Sequence, residues 1–326
     1  YGGARPCPAI VVPFVSRTLP TARSARSRIA RSIVAIALGL AGSGCRSDAS
    51  VDTYYVRLTS VDPHGGSHVP EERAHAILRR SLERTPSFAP AERDQRSGAG
   101  SGTILAASLE YRVLPNPDRG RDLLVRLAIE TPRDLVEALE GEDLDATVLL
   151  EREAGDVDLD DDLQLAADRL ARILQARTDL ARRSPGAVAS LLDDTDPQLV
   201  ALTLEWIRDH HDEAPARDAA DRVALLINHD ESDVRLLAIE TLGVVGGPQH
   251  VGALLERIEL NDADQVQRTY EALARLGGNE ARTFLDFAAR NEDEPDLQAA
   301  AEHALRRLDG HSDASLIDAV RGRGHR

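Results

Sequence analysis

Residues 230–247 read DESDVRLLAIETLGVVGG. The polar start is followed by an apolar run that closes on two glycines, which is typical of a helix with one buried face. Three further segments repeat this arrangement, and their matching apolar positions are separated by 35, 31 and 32 residues. A drifting period of this length is typical of stacked helical pairs. The matching positions are Ile207, Leu242, Leu273 and Leu305.

Partner helices are predicted between the repeated segments, at 187–192, 216–227, 250–258 and 281–289. One helical pair cannot bury its apolar stripe alone, so neighbouring pairs must stack into a continuous core. We therefore predict about four helical pairs over residues 184–310, forming an all-α helical solenoid with a concave face. Residues 311–326 are predicted to be a cap or a disordered tail.

The combination of Val234-Arg235, Leu242-Gly243 and a closing glycine resembles the short bacterial HEAT repeats found in phycobilin-lyase-like proteins. This resemblance implies a HEAT-type solenoid that binds or scaffolds other proteins without catalysis. The expected binding surface is the solenoid surface, including Arg235 and Arg268. Lyase activity is not implied, because the sequence matches no set of chromophore-handling residues.

Residues 46–183 follow a different, alternating pattern, which predicts a small α+β N-terminal domain. The runs 105–113 and 123–129 alternate apolar and polar residues around a turn at 115–120, so we predict an antiparallel hairpin. Helices covering one face of a mainly antiparallel sheet would complete the domain. It loosely resembles the small α+β domains of periplasmic envelope lipoproteins. The remaining predicted elements are strands at 53–58 and 146–151, helices after Pro70, over 131–141 and from Leu163, and a flexible loop over 85–102.

Residues 1–45 have the layout of an export signal, with arginines first and an apolar run behind them. The apolar run is about 12 residues long, which is short of the ~20 that a spanning helix needs. The segment 40–45, LAGSGC, resembles the lipobox of bacterial lipoproteins. This implies that Cys45 is acylated and becomes the mature N-terminus, anchoring the protein in the cell envelope facing the periplasm.

Two other interpretations of this segment stay open. Gly42 stands where a lipobox prefers Leu, and ordinary signal-peptidase cleavage near 42–44 would give a soluble periplasmic protein. A cytoplasmic HEAT scaffold with an unused N-terminal segment is the third possibility. Since the sequence opens on Tyr1 and contains no methionine, we expect either a fragment or a wrongly placed start, in which residues before about Leu19 are not translated.

Composition excludes several classes of chemistry. The net charge is −16, and without the six arginines of residues 1–45 it becomes −22, so nucleic acid is not an expected partner. Every cationic side chain is arginine, which excludes lysine Schiff-base chemistry and the lysine of a phosphate-binding loop. With Cys45 lipidated, no thiol remains for a disulfide or a zinc site. The sequence also contains none of the common hydrolase or metalloprotease motifs, so we predict no enzyme and no cofactor.

The densest group of possible metal ligands occupies residues 209–213. His210, His211 and Asp212 are the weak metal candidates there, and Asp209 and Glu213 flank them. Adjacent histidines at a helix end diverge, so the alternative is a polar loop with imidazoles near a helix C-terminus. Trp206, just before the cluster, is predicted to be a core residue.

The acidic run 156–162, DVDLDDD, has two possible roles. Calcium binding in an EF-hand would need Gly at the sixth position and Glu at the twelfth, where Asp161 and Ala167 stand. The alternative is that these acids cap the helix that starts near Leu163. His64 and His68, around two glycines, are predicted to be solvated loop side chains.

Together these observations predict an exported, lipid-anchored, non-catalytic scaffold with an unidentified protein partner. The competing hypothesis is a soluble periplasmic metal-binding protein or enzyme that uses residues 209–213.

Overall fold

A computed structural model describes residues 53–64, 69–92, 95, 103–116, 120–139, 141, 143–152, 158–259 and 261–322. The predicted signal segment with Cys45, as well as His68 and residues 156–157, lies outside these ranges. Strands and two helices occupy the chain up to Ala181, and only helices follow from Ala187 onward.

A five-stranded mixed sheet forms the first region. Its strands are arranged in the order β2-β1-β3-β4-β5. The predicted hairpin is confirmed, because β3 and β4 pair antiparallel with Leu109 opposite Leu127. The prediction of a mainly antiparallel sheet is confirmed only in part. Strand β4 pairs antiparallel with β3 and β5, but β1 pairs parallel with both of its described neighbours, β2 and β3. The strands are β1 (Tyr54–His64), β2 (Phe88–Pro90), β3 (Ile104–Asn116), β4 (Gly120–Ile129) and β5 (Leu144–Arg152).

Two helices, α1 (Glu71–Leu82) and α2 (Leu159–Ala181), cover one face of the sheet. Alternate residues of the strands point into this core, as the sequence pattern predicts. At the start of α2 the side chain of Asp158 accepts a hydrogen bond from the Asp160 N–H at 3.0 Å. The described part of the acidic run therefore caps a helix.

The segment 133–139 forms turns, so the prediction of a helix there is wrong. Thr131, expected to cap that helix, instead accepts a hydrogen bond from the Leu144 N–H at 2.9 Å. Asp134 is likewise held by the Tyr54 hydroxyl, which donates to it at 2.5 Å. Tertiary contacts on both polar side chains outweigh the local helix signal.

The second region consists of helices that pack in succession. Those carrying the repeated motif, α4, α7, α9 and α11, contact one another in sequence order. The predicted partner helix over 216–227 is broken into α5, α6 and a 3-10 turn (Leu226–Asn228). Residues 311–322, predicted as a cap or tail, continue α11. The helices are α3 (Ala187–Leu192), α4 (Pro197–Asp209), α5 (Ala214–Arg217), α6 (Ala220–Leu225), α7 (Ser232–Val245), α8 (Val251–Leu255), α9 (Ala263–Leu276), α10 (Gly278–Asn291) and α11 (Pro295–Gly322).

The glycine of the Leu-Gly motif allows α7 and α9 to approach closely. A Cβ atom added at Gly243 would lie 2.8 Å from the Ala272 Cα and 3.0 Å from its Cβ. Contacts that short displace the neighbouring helix, because protein interiors are close-packed. The motif position is therefore explained by helix packing.

Helix α2 joins the two regions. Leu199 of α4 is buried in the core of the sheet region, and Leu180 of α2 is buried in the core of the helical region. The Gln198 side-chain amide donates to the Thr147 carbonyl of β5 at 3.0 Å. Arg172 of α2 donates to both carboxylate oxygens of Asp194 at 2.7 and 2.8 Å. The first helical pair is thus held against the sheet region by both apolar and polar contacts.

Candidate functional site

The predicted metal cluster at 209–213 is dispersed at the C-terminal end of α4. His210 stacks on Trp206 with ring centroids 4.5 Å apart, and its Nδ1 donates to the Trp206 carbonyl at 2.9 Å. His211 Nδ1 lies 3.0 Å from the Arg208 carbonyl, while Asp212 is almost fully exposed. Within the described ranges no three His, Cys, Asp or Glu side chains are grouped to hold a metal ion.

Glu213, the last residue of the cluster, belongs to an ion pair that closes a loop. It accepts two hydrogen bonds from Arg183, at 2.6 and 3.0 Å. These bonds hold the pKa of the Glu213 carboxyl below its ordinary value. The carboxylate is therefore engaged in a structural ion pair, although it also lies close enough to His210 for their charges to interact.

The two arginines predicted on the binding surface both contact their own chain. Arg235 donates to the carbonyls of His229 and Asp230, each at 2.8 Å, and thereby holds the turn before α7. Arg268 of α9 forms an ion pair with Glu240 of α7. Arg208 of α4 reaches the other oxygen of the Glu240 carboxylate at 3.4 Å. Glu240 thus connects three successive helices, and we call Arg208, Glu240 and Arg268 the arginine–glutamate bridge.

A groove of about 400 Å³ opens beside Trp206. The tryptophan was predicted to be core, but it is only half-buried, and its ring forms part of the groove wall. Apolar side chains of α2 and α4 and acidic side chains of α4 both line the groove. The Trp206 groove is lined by Ala138 and Leu139 of the turn, Arg177, Leu180 and Ala181 of α2, and Leu202, Glu205, Trp206, Asp209 and His210 of α4.

Glu205 differs from the other acids of α4 in its electrostatics. The structure gives its carboxylate no hydrogen bond or ion pair with any described residue, although solvent reaches it. Partial desolvation by the groove walls raises the pKa of Glu205, and the charge on Asp209 adds to this, while Arg208 opposes it.

The arginine nearest to the groove is committed elsewhere. Arg177 Nη1 donates to the Asp145 carbonyl at 2.6 Å and lies 3.2 Å from the Asp145 carboxylate. It therefore holds β5. The groove could not be recognised in the sequence, because its walls come from three separate segments. The only available signal was a pair of acids four residues apart near the end of α4.

Residues 219–306 match the family model described as HEAT repeats. This stretch runs from just before α6 into α11, so HEAT repeats in the C-terminal region are confirmed there. HEAT repeats commonly mediate protein–protein interaction, and the family is generally non-enzymatic. Searches of the curated proteins and of the solved structures found no match. In the part of the chain that the structure describes, no helix is both long and apolar enough to cross a membrane.

Proposed function

We propose that this protein is a non-catalytic scaffold that binds another protein through its HEAT-type helical region. The observation that carries the proposal is the HEAT match over residues 219–306, in helices that pack in succession. A stack of helical pairs presents an extended surface, and we infer a curved solenoid with a concave binding face. The alternative role of residues 209–213 in metal binding has no geometric support among the described side chains.

Charge supports a protein partner in particular. The chain carries a net charge of −16, and its predicted mature part is more acidic still. Such a surface repels phosphate backbones and attracts basic surfaces. We therefore propose a partner that presents a basic patch.

Photo-crosslinking from the helical surface tests the scaffold role. A photoreactive amino acid at exposed Glu271 of α9 should crosslink the full chain to one discrete protein in cells. The same amino acid at exposed Arg126, on the open face of the sheet, serves as the control. Crosslinks that arise equally from both positions, or from neither, would contradict binding through the helical region.

We further propose export and lipid anchoring at Cys45, on the strength of residues 1–45 alone. Labelled palmitate should be incorporated into the wild type and not into Cys45→Ser, and the variant should leave the membrane fraction. A wild-type protein that takes up no label but fractionates with the periplasm would support the soluble alternative. Fractionation with the cytoplasm would contradict export.

A further inference from the structure

The acids of the Trp206 groove violate the local rules of helix stability. Glu205 and Asp209 stand four residues apart on α4, so their like charges repel along one face of the helix. Both lie in the second half of α4, where the negative end of the helix dipole disfavours carboxylates. Arg208, which lies between them in the sequence, compensates only part of this repulsion. Residues that break local rules are concentrated at functional sites.

No described residue forms a hydrogen bond with either carboxylate. Asp209 forms an ion pair with Arg208, whose Nε lies 3.6 Å from the carboxylate, and the same positive charge acts on Glu205. Arg208 also approaches Glu240 in the arginine–glutamate bridge, and Arg177 is occupied by Asp145. One guanidinium is thus shared among three carboxylates, so the groove keeps negative charge for a cation from outside the chain.

The remaining wall of the groove suits the rest of a basic side chain. Leu180 and Leu202 provide apolar surface for an aliphatic stem. One face of the Trp206 ring is stacked on His210, so a guanidinium or ammonium group would meet the remaining surface of the ring. Tryptophan attracts such cations more strongly than the other aromatic residues. A volume of about 400 Å³ suits one or two side chains, and an extended segment would therefore fit better than a folded surface.

We propose that the Trp206 groove binds a basic, extended segment of a partner protein, with an arginine or lysine side chain against Trp206 and its cation between Glu205 and Asp209. The identity of the ligand as part of a protein rests on the proposed function. The selection for positive charge rests on the groove itself, and the strongly acidic net charge of the chain reinforces it.

Trp206 makes the test site-specific, because it is the only tryptophan of the chain. The full-length protein in mild detergent is titrated with a labelled peptide of alternating arginine and serine, while Trp206 emission and peptide anisotropy are recorded. We expect a saturable change in both signals with the same midpoint. A matched peptide with citrulline in place of arginine should bind about tenfold more weakly, as expected when charge-assisted hydrogen bonds are lost.

Two double variants separate the groove from the general acidity of the surface. Glu205→Gln with Asp209→Asn should weaken arginine-peptide binding about tenfold while leaving Trp206 in place. Glu72→Gln with Glu130→Gln removes two charges from exposed positions of the sheet region, and it should change the affinity less than about twofold. Circular dichroism checks that both variants are folded.

Several outcomes would overturn the proposal. Citrulline and arginine peptides of equal affinity would show that charge is not recognised. A change in anisotropy without a change in Trp206 emission would place the binding site elsewhere. Equal losses of peptide affinity in the two double variants would mean that binding depends on the net charge of the protein and not on the groove. If crosslinking from Glu271 succeeds while the titration fails, only the groove proposal is wrong. If the peptide binds but no protein is crosslinked, the scaffold role is wrong and the groove remains a basic-peptide site.

Discussion

Glu240 and Glu205 lie on neighbouring helices of the same acidic region, yet their surroundings are opposite. Glu240 is half-buried between Arg208 and Arg268 and connects α4, α7 and α9. Glu205 lines the Trp206 groove and forms no hydrogen bond or ion pair with a described residue, although the charge of Arg208 acts on it. The acidic side chains of this protein therefore have two roles. Some connect consecutive helices, and others stay available to a partner.

The pKa shifts of the acidic residues separate into the same two groups. Arg183 lowers the pKa of Glu213. Burial alone would raise the pKa of Asp194, but the Asp196 N–H and the Arg172 guanidinium outweigh it, and the pKa is lowered. At Glu205 desolvation prevails, and the pKa is raised. Carboxylates with lowered pKa values stabilise the fold in their charged form, whereas a charged Glu205 opposes it.

We expect the largest loss of stability from a variant that disrupts the contact between α7 and α9. Gly243→Ala places a Cβ atom 2.8 Å from the Ala272 Cα. Forcing α7 and α9 apart should lower the free energy of unfolding by about 2 kcal/mol, as is typical of overpacking. Urea unfolding measures this change.

Gly252→Ala is the matched control, because its added Cβ would meet nothing within 4 Å. Replacing glycine by alanine inside a helix should raise the free energy of unfolding by about 0.5–1 kcal/mol. Changes of equal sign at the two positions would contradict a close helix contact at Gly243.

The second-largest change in the free energy of unfolding is expected from Asp194→Asn. The variant loses charge-assisted hydrogen bonds from Arg172, so we expect the free energy of unfolding to fall by about 1–2 kcal/mol at neutral pH. Because the folded-state pKa of Asp194 is lowered, the wild-type advantage is complete above the ordinary value of 3.8. The advantage disappears as the pH falls through the folded-state pKa.

Unfolding of wild type and Asp194→Asn between neutral and acidic pH checks this. Asp193→Asn is the control, since Asp193 is mostly exposed and its pair with Arg222 lies in solvent. It should change stability by less than about 0.5 kcal/mol. A difference between wild type and Asp194→Asn that does not shrink on acidification would contradict the lowered pKa.

Glu240→Gln should cost about 1 kcal/mol, because the half-buried carboxylate serves two arginines and the exposed ion pairs around it contribute less. The loss should decrease as salt screens the charges of the wild type. Thermal unfolding at low and high ionic strength measures both effects. Glu271→Gln on the exposed face of α9 is the control and should be nearly neutral. If Glu240→Gln loses no more stability than Glu271→Gln, the arginine–glutamate bridge does not stabilise the fold.

The smallest expected change in the free energy of unfolding is an increase, and it is caused by Glu205→Gln. Glu205→Gln removes the repulsion with Asp209 and the unfavourable contact with the helix dipole. We therefore expect the free energy of unfolding to rise by about 0.3 kcal/mol. A comparison with Glu240→Gln under the same conditions detects the change in sign. Destabilisation by Glu205→Gln would mean that an unseen partner within the chain already satisfies this carboxylate.

Patterns with local causes could be predicted from the sequence. The alternation of β3 and β4 gives the hairpin, and the repeated Leu-Gly motif gives the packed helices because Gly243 must admit Ala272. Features that depend on distant residues could not be predicted. The three-residue strand β2 is defined only by its pairing with β1. Residues 131–139 stay non-helical because the Leu144 N–H donates to Thr131 and the Tyr54 hydroxyl donates to Asp134.

The candidate site was beyond reach of the sequence for the same reason. Arg235 and Arg268 look like exposed arginines in the sequence, and only the folded chain shows that backbone carbonyls and Glu240 engage them. Trp206 follows the spacing of a core helix position, but the turn after β4 leaves a groove beside it. The role of a charged side chain can be assigned only when its neighbours in the folded chain are known.

One paired measurement tests the division of the acidic residues most directly. Stability and arginine-peptide affinity are determined for the full-length wild type, Glu240→Gln and Glu205→Gln. We expect Glu240→Gln to lose stability and keep its affinity, and Glu205→Gln to keep its stability and lose affinity. If the two variants lose both properties in the same proportion, connecting and available carboxylates are not distinct, and the account is wrong.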